Sequence, residues 1–192
     1  MKRIALFFCV CLFALSIQAQ GAETIQKTTT HLKFLGVELD RTISEFEKDL
    51  PVFLIAPDPE LYDKHDNIRV YDAVYWGEPS IVVVFFNPRS KIVYCARVIK
   101  VLDKEKEIKK LRASREKILD RLYGKKNKEV VKNKIIDNEV FSGCMYSFDN
   151  GYIALSTTSP VPPSSGKFTL TLEYVDKMNY SIYLQEENVD VK

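Results

Sequence analysis

The stretch NIRVYDAVYWGEPSIVVVFFNPRSKIVYCARVIK, residues 67–100, decides the fold. It divides into three runs rich in β-branched and aromatic residues, 67–76, 80–87 and 91–100, and each run suits a strand. Gly77-Glu-Pro79 and Asn87-Pro-Arg-Ser90 separate the runs with turn-forming residues. Strands joined by turns this short pair antiparallel. In the first run Ile68, Val70, Val74 and Trp76 alternate with Arg69, Tyr71, Ala73 and Tyr75. The alternation predicts that the aliphatic set, despite Asp72, faces a helix layer, leaving Tyr71 and Tyr75 on an open face. Applied to later strands, the same rule puts Arg97 and Tyr152 on that face and turns Ile92, Val98, Ile153 and Leu155 inward. Tyrosine and arginine combine large contact area with hydrogen bonding, so Tyr71, Tyr75, Arg97 and Tyr152 are the candidate partner-binding residues. The competing reading is cross-strand pairing that only stabilises the sheet. A shift of one residue in register exchanges the two faces.

Upstream, Thr42-Ile-Ser-Glu45 is a capping-box pattern that opens a short helix. Ile43, Phe46 and Leu50 share its apolar face and Pro51 ends it. Residues 52–66 read as a loop containing Pro57 and Pro59. Downstream, Asp103 is placed to cap a longer helix over 104–123. Its apolar stripe is Ile108, Leu111, Ile118 and Leu122, and Gly124 stops it. After a polar stretch come three more strands, about 138–148, 151–158 and 167–175. Asp149-Asn150-Gly151 makes a tight hairpin, and Ser159 to Gly166 is a proline-rich loop. The order is helix, three strands, helix, three strands. That predicts an α+β protein of two tandem helix-plus-antiparallel-sheet units, 20–100 and 101–192, in one compact domain. One face of each sheet is covered by a helix and the other is open.

Residues 1–19 carry Lys2 and Arg3, an apolar run from Ile4 to Ile17 and a small residue at Ala19, the pattern of a secretory signal peptide. The run is too short for a membrane anchor. The expected location is therefore secreted or periplasmic. Loss of Lys2 and Arg3 takes the formal net charge from +2 to zero, so overall charge gives no case for nucleic acid. The charge is unevenly placed: residues 100–134 hold 14 basic and 6 acidic side chains, between two acidic blocks. This is either a basic patch for an anionic partner or a solvated helix face offset by its neighbours. Cys95 and Cys144 remain after cleavage. They either pair, in an oxidising compartment, or sit apart as buried thiols.

Several chemistries lack a pattern. Seven scattered glycines form no phosphate-cradling loop, and no Gly-x-Ser-x-Gly elbow is present. A catalytic pair of Cys95 or Cys144 with His31 or His65 would place its thiol in a strand, with no helix N-terminus to lower the thiol pKa. Asp58, Glu60, Asp63, His65 and Asp66 form an acidic loop, without the glycine at which a calcium loop bends. No catalytic residue, metal ligand or cofactor is assigned. Asn179-Tyr-Ser181 matches the glycosylation acceptor pattern and is read as chance.

The helix–sheet order resembles the beta-lactamase-inhibitor-protein-like fold, in which tandem units form a concave sheet surface. More specifically, the chain is similar to uncharacterised secreted proteins of Bacteroides-type gut bacteria. The resemblance rests on Phe34-Leu-Gly-Val-Glu-Leu-Asp40, Leu122-Tyr-Gly-Lys125, Asn150-Gly-Tyr-Ile-Ala-Leu155 and Leu172-Glu-Tyr-Val-Asp-Lys177. Residues 52–66 depart from the glycine-bearing turn expected after the first helix. The resemblance implies binding at the concave face and assigns no residue. The expected function is non-enzymatic binding of a protein or envelope ligand. The alternatives are an envelope hydrolase using the 58–66 loop, with or without a metal, and an envelope component docking through the basic helix.

Overall fold

Two turns show how the chain folds back on itself. At Trp76–Gly77 both residues have positive φ, 52° and 76°, and Tyr75 pairs with Glu78 across them. This is a mirror-image two-residue turn, whose twist matches that of the strands it joins. The turn therefore comes one residue earlier than Gly77-Glu-Pro79 suggests, and the next strand begins at Glu78. Leu35–Gly36, with φ of 52° and 86°, repeats the device in a small N-terminal hairpin.

The computed structural model describes residues 31–51, 54–57, 67–136, 139–160 and 166–189. In chain order these form β1 (Lys33–Phe34), β2 (Val37–Glu38), α1 (Ile43–Asp49), β3 (Leu54–Pro57), β4 (Ile68–Tyr75), β5 (Glu78–Phe86) and β6 (Val93–Leu102). Then follow α2 (Glu105–Tyr123), a short 3-10 turn, β7 (Lys128–Ile136), β8 (Glu139–Phe148), β9 (Gly151–Pro160), β10 (Phe168–Asp176) and α3 (Lys177–Val189). β1 and β2 pair with each other. The other eight strands form one antiparallel sheet in the order β3-β4-β5-β6-β10-β9-β8-β7. The protein is thus α+β, with three helices and a large antiparallel sheet among the described residues.

Each helix α1 and α2 precedes four strands rather than the expected three. The added strands lie at the two edges of the sheet, where ordinary strand signals are weak. β3 falls inside the expected 52–66 loop and ends at Pro57, a residue tolerated where no neighbouring strand needs its N–H. β7 carries exposed Lys132 and Lys134, charges that protect an edge from further pairing. The third addition is α3, in a stretch that sequence pattern leaves unassigned.

The Thr42 capping box forms: the Glu45 carboxylate accepts from the Thr42 backbone N–H at 3.1 Å and from its hydroxyl at 2.7 Å. Ile43, Phe46 and Leu50 are buried as expected. α2 is rolled relative to its predicted stripe. Ile108 and Leu119 are buried and Leu122 is exposed. Arg115 lies inward, its guanidinium 4.7 Å from the Trp76 ring centroid and 3.0 Å from Glu78 Oε1. A long arginine stem covers apolar surface while its head finds a carboxylate, so the roll satisfies both. Asp103 does not cap the helix; Lys104 occupies the cap position, and Gly124, φ 74°, ends α2 as expected.

The main core lies on one side of the sheet. There α1, α2 and the β1–β2 hairpin cover Tyr71, Ala73, Tyr75, Val82, Val84, Ala96, Val98, Leu172, Tyr174, Leu155 and Ile153. A network pins α2 to the sheet: Lys128 Nζ lies 2.6 Å from Glu116 and 2.9 Å from Asp120, and Tyr146 donates to the same Asp120 oxygen at 2.7 Å. Gly151 is needed for close approach, since a Cβ there would sit 2.1 Å from the Val175 carbonyl oxygen and 2.6 Å from Leu32.

Candidate functional site

Strand register assigns every side chain to a face. Val70, Val83, Arg97, Glu173, Ala154, Met145 and Glu129 are successive cross-strand partners. The adjacent row is Asp72, Ile81, Ile99, Thr171, Ser156, Gly143 and Val131. Both rows lie on the face that α1 and α2 leave uncovered. Val74, Ile81, Val101 and Val131 belong to this face, and each is between 37% and 43% exposed. At one end of it α3 packs Tyr183 against Tyr94, Cys95 and Val175, joined by Phe85 and Tyr152. Tyr94 and Tyr183 stack with centroids 4.7 Å apart.

Tyr71 and Tyr75 are not on this face. They are 6% and 8% exposed and belong to the helix-side core. Tyr71 donates to Glu47, while Tyr75 stacks on Phe34 and its hydroxyl lies 3.1 Å from that of Tyr174. Burial pushes the Tyr75 and Tyr174 hydroxyls above the usual tyrosine range. The orientation of β4 is therefore the reverse of the predicted one. Val70 and Val74 share their side with Asp72, which is exposed. An unpaired carboxylate in the core costs far more than a half-exposed valine, whereas a buried tyrosine can satisfy its single hydroxyl. Asp72 was the informative residue, and three aliphatic neighbours outvoted it.

Arg97 and Tyr152 do lie on the predicted side, and Val98, Ile153 and Leu155 on the other. Arg97 meets Glu173 through Nε at 3.0 Å and Nη2 at 2.5 Å, with its guanidinium 4.9 Å from the Phe85 ring centroid. Burial alone would lower the Arg97 pKa, but the Glu173 charge outweighs it and holds the pKa above the usual value. Tyr152 stands beside Val175 and Ser147 under α3. The four tyrosine and arginine candidates therefore divide between two faces and form no single site. Sequence pattern does not single out this set: alternation turns Val74 inward, Ile81 carries no assigned face, and Val101 and Val131 fall outside the expected strands.

The cysteines also lie on opposite faces. Cys95 belongs to the cluster under α3 and Cys144 to the helix-side core. β10 and β9 intervene between β6 and β8. Three strand spacings of about 4.8 Å separate the two backbones by roughly 14 Å, well beyond the reach of a disulfide. Both are buried free thiols. Burial pushes both thiol pKa values up, Cys95 strongly, the opposite of what a nucleophilic thiolate needs.

Part of the basic block is paired. Lys104 bonds Glu107, Lys109 bonds Glu105, Arg115 bonds Glu78, and Lys128 bonds Glu116 and Asp120. Asn179 is buried and donates its amide to the Leu39 carbonyl, so its side chain serves packing. Residues 1–19, on which the signal-peptide reading rests, His65 and the acidic 58–66 loop lie outside the described residues. Among the described residues, no cluster of three or more His, Cys, Asp or Glu is placed to hold a metal, and no helix is long and apolar enough to cross a membrane. Comparison with protein-family models, curated proteins and solved structures finds no significant match.

Proposed function

We propose that this chain is a non-enzymatic binding protein, acting in the periplasm or outside the cell after cleavage of residues 1–19, that holds a protein or envelope ligand on the uncovered sheet face. The observation that carries this reading is the set of half-exposed aliphatics, Val74, Ile81, Val101 and Val131, on one side of a single sheet. A sheet face of this kind left to water is a docking surface or an aggregation liability. Its central charges, Arg97 and Glu173, neutralise each other. The chemistry therefore favours an apolar protein surface over an anionic partner.

We further read the two halves as tandem units of the beta-lactamase-inhibitor-protein-like kind. Supporting this, α1 leads into the β3–β6 meander and α2 into the β7–β10 meander, and the meanders meet through their last strands, β6 and β10.

The test is capture from the source envelope and medium by the mature chain, with Ile81→Asp/Val101→Asp run beside it. The expected result is a protein retained by wild type and lost by the folded double variant, an affinity loss of more than about 1 kcal/mol. Equal retention by both, or no retained protein, overturns the reading.

A further inference from the structure

On the opposite side of the sheet, α2 does not close fully against β8 and β9. A cleft of about 350 Å³ remains between them, within the size range of small-molecule sites. Ile108, Val140 and Phe168 supply apolar walls, and Thr157 and Ser142 line it with hydroxyls.

Arg112 also lines this cleft, with a side chain only 19% exposed. Its guanidinium is poorly satisfied. Nη1 reaches Thr157 Oγ1 at 3.5 Å, Nε lies 3.9 Å from Glu116, and Nε is buried without a hydrogen-bond partner. Glu116 offsets its charge from 3.9 Å through Oε2 but is too far to accept a hydrogen bond, and its Oε1 is held at 2.6 Å by Lys128. Lys109 and Glu105, also lining the cleft, pair with each other at 2.6 Å. What remains is a desolvated guanidinium with unused donors beside an apolar wall.

We propose that the cleft binds a small organic monocarboxylate, whose carboxylate meets the Arg112 guanidinium and whose apolar body lies against Ile108, Val140 and Phe168. A planar guanidinium offers paired N–H donors that match a carboxylate edge. A dianionic phosphate fits less well, because Glu105 and Glu116 cancel the charges of Lys109 and Arg112 around the cleft. The site is independent of the sheet face proposed above.

The probes are hexanoate and benzoate, titrated calorimetrically into the full mature chain, with hexanamide, benzamide and inorganic phosphate as controls. At least one acid binds, its amide and phosphate bind at least about tenfold more weakly, and Arg112→Gln lowers the acid's affinity by about tenfold or more. Ala113→Trp, made at an exposed helix position lining the cleft, abolishes binding with the melting temperature preserved. This second variant decides the matter if Arg112→Gln does not fold. No binding of either acid, equal binding of the amide, tighter binding of phosphate, or unchanged binding in the folded variants overturns the proposal.

Discussion

Val74 and Tyr75 are neighbours in β4 on opposite faces of the sheet, so substituting each in turn tests which face is the core. Tyr75 is 8% exposed, stacks on Phe34 and lies 4.9 Å from Trp76 between ring centroids. Truncating a large buried aromatic to alanine costs about 3–5 kcal/mol, mainly from the cavity it leaves. For a domain of this size each kcal/mol moves the melting temperature by about 2–4 °C, so Tyr75→Ala falls by roughly 6–20 °C. Val74 is 43% exposed and beside Asp72 on the uncovered face. Val74→Thr keeps the β-branched shape and sets its hydroxyl at the solvent, a change within about 0.5 kcal/mol and about 2 °C. Were the faces reversed, the threonine would bury a hydroxyl at a cost of about 1–3 kcal/mol, and losing the tyrosine would matter little. Thermal denaturation followed by circular dichroism reads both. A Tyr75→Ala melt within about 2 °C of wild type, with Val74→Thr the more damaging change, would refute the face assignment.

The Asp120 network predicts a pH dependence. Burial alone raises the Asp120 pKa, but hydrogen bonds from Lys128 and Tyr146 outweigh it and hold the carboxyl below the usual range. Its contribution is therefore complete above the unfolded-state pKa of about 4 and is lost as pH falls through the lower folded value. Tyr146→Phe removes a hydrogen bond to a charged acceptor and costs about 1.5–3 kcal/mol at pH 7. Urea melts at pH 7 and pH 2.5 should show that deficit shrinking in acid; an equal deficit at both values would contradict the linkage. The cysteines give a chemical check: thiol titration of denatured residues 20–192 without reductant returns two thiols, and a non-reducing gel shows the same mobility with and without reductant. Finding no titratable thiol would contradict the placement of Cys95 and Cys144 on opposite faces.

Sequence alone determined what local chemistry fixes. The Thr42–Glu45 box, Pro51 and Gly124 mark helix limits through backbone groups a few residues away, and the β-branched runs define the six inner strands. The antiparallel pairing of consecutive strands followed from short turns. Tertiary structure decided whatever depends on distant partners. β3 and β7 become strands because one neighbour each supplies their pairing, which their own composition does not announce. Arg115 turns inward because Trp76 and Glu78 await it, and this rolls α2 away from its apolar stripe. Alternation gives the reverse of the faces of β4, since tyrosine and valine both suit a core; the layer that covers Tyr71 and Tyr75 comes from α1 and the β1–β2 hairpin. Arg97 and Tyr152 were placed on the correct side because their inward neighbours Val98, Ile153 and Leu155 are purely aliphatic. The incomplete closure of α2 over β8 and β9, which leaves Arg112 short of partners, has no local signal, because packing gaps arise only when separate elements meet.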